Sequence, residues 1–181
     1  MGKVDNYNDG LGLYTICSTP NTCKNDPSPT WHFYRGSPLW GLLWSYSPLK
    51  GCGDNHLGAR DFALKSTKEG TPVYAAEGGH ILQLATGYTP CGCNPTSPCD
   101  GANFVGIRGS DQFITHYVHV NPLPSLKLGD PVMLGQQIGT VDLSGDSCGP
   151  HVHMARYDSK GIPNCRWGFD ITIAPVVVSP F

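Results

Sequence analysis

Seven histidines are spread unevenly along this chain, and five of its residues are spaced as metal chemistry requires. The densest signal is Ser144-Gly145-Asp146-Ser147-Cys148-Gly149-Pro150-His151-Val152-His153. On a strand, residues two apart project to the same face, so His151 and His153 point together while Val152 faces a core. Two imidazoles side by side repel if both are charged, and a metal removes the conflict because it binds the neutral form. A second cluster, Asn55-His56-Leu57-Gly58-Ala59-Arg60-Asp61, places a histidine and a carboxylate across a glycine-bearing turn into a strand. His56, Asp61 and His153 together make two nitrogens and one carboxylate, with a fourth position left for water. That is the catalytic form of a zinc site. The third element is Thr115-His116-Tyr117-Val118-His119-Val120. Strict alternation puts Tyr117 and His119 on one face, which makes His119 the candidate for the site and sends His116 to the opposite surface. His32 and His80 have no partner motif and are expected to be ordinary structural or surface histidines. No glutamate lies in an H-E-x-x-H helix, so the usual base of helical zinc proteases is absent.

These residues need strands to hold them. Candidate strands run over 60–64, 70–76, 80–84, 104–108, 113–120, 131–134, 137–141 and 151–157, most of them separated by Gly, Pro, Asn or Asp. No segment sustains a 3.6-residue period. The 23 glycines and 16 prolines of the 181 residues suit short strands and many turns rather than helices. The expectation is an all-β protein. Residues 1–49, proline-rich and carrying Trp31, Trp40 and Trp44, are read as an irregular flap that packs its aromatics on the main body. A groove-lining role is the sharper alternative for some of them. Residues 50–181 form the catalytic unit, interrupted by a cross-linked loop at 87–102 that holds three cysteines and three prolines.

A formal net charge of −2 gives no reason to expect nucleic acid or an anionic membrane as partner. No apolar run is long enough to span a bilayer. The eight cysteines, at 17, 23, 52, 91, 93, 99, 148 and 165, favour an oxidising compartment. Disulfides are the expected state, three or four of them, with the 91–99 loop closed on itself or tied to a neighbour. A second zinc is the competing reading of Cys91-Gly-Cys93 and Cys99, although paired C-x₂₋₄-C knuckles are absent. The first residues lack the apolar core of a signal peptide, so a secreted protein would have lost its leader or been excised from a larger chain.

From about 50 to 158 the chain resembles the lysostaphin-type (LytM-like) zinc endopeptidases. The His…Asp motif leads into Gly70-Thr71-Pro72-Val73-Tyr74-Ala75-Ala76, and Tyr117-Val118-His119 follows. Gly129-Asp130-Pro131-Val132, Gly135-Gln136-Gln137-Ile138-Gly139 and Ser147-Cys148-Gly149-Pro150-His151-Val152-His153 complete the order. The resemblance implies an antiparallel β-sheet groove, the duplicated hybrid motif with long disulfide-bearing loops, and one Zn2+ per chain on its floor. It assigns His56, Asp61 and His153 as ligands and places His119 and His151 beside the metal. There they would polarise the attacking water and steady the tetrahedral intermediate, with His151 as base and His119 at the oxyanion. The implied substrate is peptidoglycan, cut in its stem peptides or cross-bridges by a monomeric protein outside the cytoplasm. A narrow groove would suit small residues such as glycine or D-alanine. The alternative on the same fold is a zinc-bearing binding or signalling module without activity; such relatives lack one of the two catalytic histidines, and both are present here. Two departures stand out. His56 and Asp61 are five positions apart where the family has four, which Gly58 could absorb in a looser turn. Met154-Ala155 replaces the family's Phe-Glu, a change expected to alter packing behind the site.

Overall fold

The computed structural model of the chain describes residues 7, 8, 13–15, 28, 30–39, 58–93 and 99–170, and every regular element among them is a strand. In chain order these are β1 (Tyr7–Asn8), β2 (Leu13–Thr15), β3 (His32–Tyr34), β4 (Ala59–Phe62), β5 (Pro72–Tyr74), β6 (Gly79–Ala85) and β7 (Phe104–Gly109). There follow β8 (Ile114–Val118), β9 (Val120–Pro122), β10 (Pro131–Val132), β11 (Gln137–Val141), β12 (Val152–Tyr157) and β13 (Trp167–Asp170). Six of them make the main sheet, in the order β10-β6-β7-β8-β12-β4, with every neighbouring pair antiparallel. A second sheet has the order β5-β11-β9, and a third β1-β2-β13-β3. The fold is all-β and antiparallel in its main sheet, as expected.

Each strand read from the alternating pattern is found within a few residues of its expected place. The N-terminal segment differs. It supplies three short strands, two of them in line with β13, which pairs antiparallel with β2 and parallel with β3. Strands of two or three residues are too short to show a period of two, and β13, which joins β2 and β3, lies more than a hundred residues away. Trp40 and Trp44 lie outside the described residues.

Alternation divides the main sheet into a core face and an open face. Ile81, Val105, Ile107, Tyr117, Val152, Met154 and Phe62 point inward and meet Val73, Ile138, Val141 and Val120 of the second sheet, together with Tyr34, Trp167 and Phe169 of the third. Fully burying side chains of this size contributes about 1.5–3 kcal/mol each. Register pairing joins His153 to Asp61 on one side and Val118 on the other, on the opposite face from Met154 and Tyr117. Thus Val152 and Met154 hold β12 down while His153 stands up from it.

A charge cluster around the buried Arg156 fastens the third sheet to the main one. The Arg156 side chain, 2% exposed, reaches Asp111 through Nη2 and lies 3.6 Å from Glu77 through Nη1. Its Nε donates to Asn164 Oδ1 at 3.0 Å. His32 of β3 sits against the same two carboxylates, 3.5 Å from Glu77 and 3.2 Å from Asp111. Burial raises the Glu77 pKa, offset by a hydrogen bond from Thr115 Oγ1. Asp111 is lowered well below the usual carboxylate range, because His32 and Arg156 outweigh its burial. His32 is therefore a structural histidine, and His80 is exposed, in line with the absence of partner motifs around both.

Candidate active site

The open face of the main sheet gathers four of the five expected residues. Asp61 of β4 and His153 of β12 are direct cross-strand partners, and His153 Nδ1 lies 2.9 Å from Asp61 Oδ1. His151, at the end of the turn that enters β12, brings its Nε2 to 3.6 Å from the same oxygen. The His119 ring is 4.6 Å from that of His151 and 6.2 Å from that of His153, centroid to centroid. His56 lies outside the described residues. Gly58, which leads from it into β4, has φ +69°, a conformation glycine adopts without strain. A Cβ there would lie 3.0 Å from both Asn164 O and Pro163 Cβ, so the turn needs glycine for space as well as for φ. The Gly58 carbonyl is pinned by Trp167 Nε1 at 3.0 Å and Arg156 N at 3.1 Å, which sets the entry of the strand that carries Asp61.

His119 reaches the site by a route that alternation does not predict. Tyr117 faces the core, fully buried, with its hydroxyl accepting the Ala76 N–H at 2.9 Å. A residue two further along a regular strand would join it there. His119 instead has φ +59°, between β8 and β9, and this left-handed step turns its ring toward His151 and His153. Such a conformation is uncommon for a residue other than glycine and is retained where the surroundings hold it. The face argument for His116 is corrected by the same register: His116 pairs with Ala155, two positions from the Val118–His153 pair, and so shares the open face.

Backbone carbonyls fix the tautomers of both flanking histidines. His119 Nδ1 donates to Ser144 O at 2.7 Å, and His151 Nδ1 donates to Gly149 O at 2.7 Å. In its neutral form each ring then carries its acceptor at Nε2. Burial, and next the neighbouring His151, lower the His119 pKa to about 4, so it is neutral at neutral pH. Ser144 is itself held by Asp142, whose Oδ1 accepts from Ser144 N at 2.9 Å and Ser144 Oγ at 2.7 Å. Asp142 Oδ2 accepts from Asn103 Nδ2 at 2.6 Å, and Asn103 N donates to Ser144 Oγ at 2.8 Å. Sequence reasoning misses this support. The Asp142-Leu-Ser144 spacing of an Asx turn is a local signal that could point to it, but nothing local points to Asn103, 39 residues away.

Two disulfides frame the turn before His151. Cys91–Cys99 closes the inserted loop on itself, and Cys93–Cys148 ties it to a residue three positions before His151. Both expected arrangements of that loop are thus present, and no cysteine among the described residues is free. Backbone bonds run alongside, Cys91 N to Gly145 O at 3.0 Å and Gly145 N to Thr89 O at 3.0 Å.

The donor set has the chemistry of a zinc site. An imidazole nitrogen and a carboxylate oxygen 2.9 Å apart stand close to the roughly 3.3 Å between neighbouring donors of a tetrahedral zinc shell. Among the described residues no group of three His, Cys, Asp or Glu side chains closes around one point. Asp61 and His153 fit as two ligands, and the third expected ligand precedes Gly58.

The chain belongs to peptidase family M23, whose model matches residues 59–163. The family is one of metallopeptidases. Glycyl-glycine endopeptidase ALE-1 of Staphylococcus capitis is 34% identical over 110 residues, which are 60% of this chain and 26% of that protein. Peptidoglycan DD-endopeptidase ShyC of Vibrio cholerae is 34% identical over 84 residues, 46% of this chain and 17% of that one. The chain therefore spans about a quarter or less of the length of these curated relatives. Among solved structures, the catalytic domain of lysostaphin from Staphylococcus simulans has a TM-score of 0.44 at 27% identity, covering 68% of this chain and 80% of that chain.

Proposed function

We propose that the chain is a zinc-dependent endopeptidase that hydrolyses peptide bonds in the stem peptides or cross-bridges of bacterial peptidoglycan, outside the cytoplasm. The observation that carries this reading is the convergence of Asp61 and His153 at 2.9 Å with His151 and His119 beside them on an open sheet face. The relatives named for peptidoglycan and glycyl-glycine cleavage support the substrate class. The disulfides support an oxidising compartment.

His56, Asp61 and His153 would hold one zinc. The metal would supply a Lewis acid for the peptide carbonyl and lower the pKa of water from 15.7 to about 7. The chain's own part is proton handling. With Nδ1 committed to a carbonyl in each ring, His119 and His151 both offer Nε2 as an acceptor, and together they can orient the two O–H bonds of one water. Proton uptake at His151 Nε2 makes an imidazolium whose N–H can then be returned to the leaving amine. The oxyanion role expected for His119 needs a proton on its Nε2, which the resting tautomer lacks. That role follows proton uptake and does not precede it.

Asp142→Ala should keep zinc and lower kcat about tenfold, because Ser144 O loses the support that orients His119. Each hydrogen bond removed from a buried group costs about 1–3 kcal/mol, so the same variant should also melt earlier. Unchanged kcat in the folded variant would show that His119 is held without it. The reading as a whole is tested by digesting purified peptidoglycan with zinc-loaded protein and identifying released peptides by mass spectrometry. Zinc-loaded protein that releases none is a binding module on this fold instead.

A further inference from the structure

The open face does not end at the histidine cluster. Cross-strand pairing arranges it in rows: Phe104, Val118, His153 and Asp61 form the first, and Gly106, His116 and Ala155 the second. Arg108, Ile114 and Tyr157 form the third. Successive rows stand about 7 Å apart, two residues along a strand. The second and third rows border a cavity of about 290 Å3 lined by Gln83, Ile114, His116, Tyr157, Asp158 and Ser159 together with Gly161. His116 crosses its floor, donating from Nε2 to Gln83 Oε1 at 2.5 Å and packing between Phe104 at 5.1 Å and Tyr157 at 5.2 Å. A Cβ on Gly106 would lie 3.0 Å from Gln83 Oε1 and 3.2 Å from His116 Cδ2, crowding the pair.

The charge in the cavity is negative. Asp158 Oδ1 caps its own turn, accepting from Lys160 N at 2.9 Å and Ile162 N at 2.8 Å. Among the described residues Oδ2 makes no hydrogen bond and the carboxylate has no ion pair. Arg108 shares the third row but stands two strands from Tyr157, about 9.6 Å across the sheet, and does not line the cavity. Burial, and next the neighbouring His153, lower the His116 pKa to about 4, so no cation competes from the floor. Aromatic edges and faces, an aliphatic wall at Ile114 and one carboxylate without a counter-ion suit an ammonium group on an aliphatic arm.

We propose that this cavity is a substrate subsite that takes the primary ammonium of an amine-bearing side chain or branch, with Asp158 as its counter-charge and Tyr157 and His116 as its wall. This rests on the peptidase reading for the word substrate. An extended peptide rises about 3.3 Å per residue, so a subsite one to two rows from His153 sits about two to four residues from the bond that is cut.

Fluorescent glycine–alanine peptides bearing one lysine, scanned along the sequence, are compared with the same peptides bearing Nε-acetyl-lysine. Binding is read by anisotropy and cleavage by chromatography, both with zinc-loaded protein. The lysine form should bind about three- to fivefold tighter at one position, as expected for one partly exposed charge contact. Asp158→Asn should abolish that preference; the amide retains the oxygen that caps the turn, so the melting temperature should hold. Equal binding of the two forms at every position, or a preference that survives Asp158→Asn, overturns the subsite. A preference removed by Asp158→Asn, in protein that cuts none of the peptides and releases none from peptidoglycan, supports the subsite and defeats the peptidase reading. Cleavage without preference does the reverse.

Discussion

His153→Ala and Asp61→Ala are expected to empty the zinc site and abolish activity, whereas His119→Ala and His151→Ala should keep zinc and lose activity by about 10²–10⁴-fold. The difference follows from which atoms meet. Asp61 Oδ1 and His153 Nδ1 point at each other across adjacent strands at 2.9 Å, and removing either leaves too few donors for a three-ligand site. The flanking histidines have one nitrogen each committed to Ser144 O or Gly149 O and offer only the other. His56→Ala should behave as His153→Ala does, since the third ligand is assigned to it. Bound zinc by elemental analysis and peptide release from peptidoglycan, with casein as control, separate the two groups of variants. Loss of zinc in His119→Ala would move that residue from the proton-handling pair to the ligand set. Full zinc retention in His153→Ala would dismantle the site.

The largest effect on stability should come from Arg156→Ala. Its guanidinium is buried against Glu77 and Asp111, donates to Asn164, and lies 4.6 Å from the Phe113 ring centre. Removing one partner of a buried ion pair costs about 3–5 kcal/mol, because the remaining charge is left without compensation. In a chain of this size that is a fall in melting temperature of roughly 6–20 °C. Thermal unfolding followed by circular dichroism measures it. Glu77→Gln with Arg156→Met, which removes a charge from each side, should be less destabilising than Arg156→Ala. If Arg156→Ala melts within about 2 °C of wild type, the cluster is a surface feature that water can replace. His32 ties β3 to the same carboxylates, so the variant should also loosen the third sheet.

Much of the site is legible in the order of the residues because its signals are local. His151-Val152-His153 needs only the two-residue period of a strand, and Val152 is indeed buried while its neighbours are on the open side. The strands from β4 to β12 are marked by alternation bounded by glycine and proline. The 91–99 loop reads as disulfide-bearing because its cysteines are close and lack zinc-knuckle spacing.

Three features need the folded chain, each for the same reason: they depend on contacts between residues far apart in sequence. Alternation selects His119 for the site on the ground that it shares a face with Tyr117, yet Tyr117 is core, and only the positive φ at His119 brings its ring over. A backbone angle of that kind is imposed by neighbours such as Ser144 and Asp142, not by the residue's own type. The same assumption of unbroken alternation sends His116 to the wrong face, and its pairing with Gln83 across Gly106 arises only where β6, β7 and β8 lie side by side. The N-terminal strands are too short to carry a pattern and exist as a sheet only through β13. The residue types and their order therefore determined the all-β scaffold and the candidate site residues. Register, a left-handed step and long-range pairing decided which nitrogen of each ring faces the site and what else shares its face.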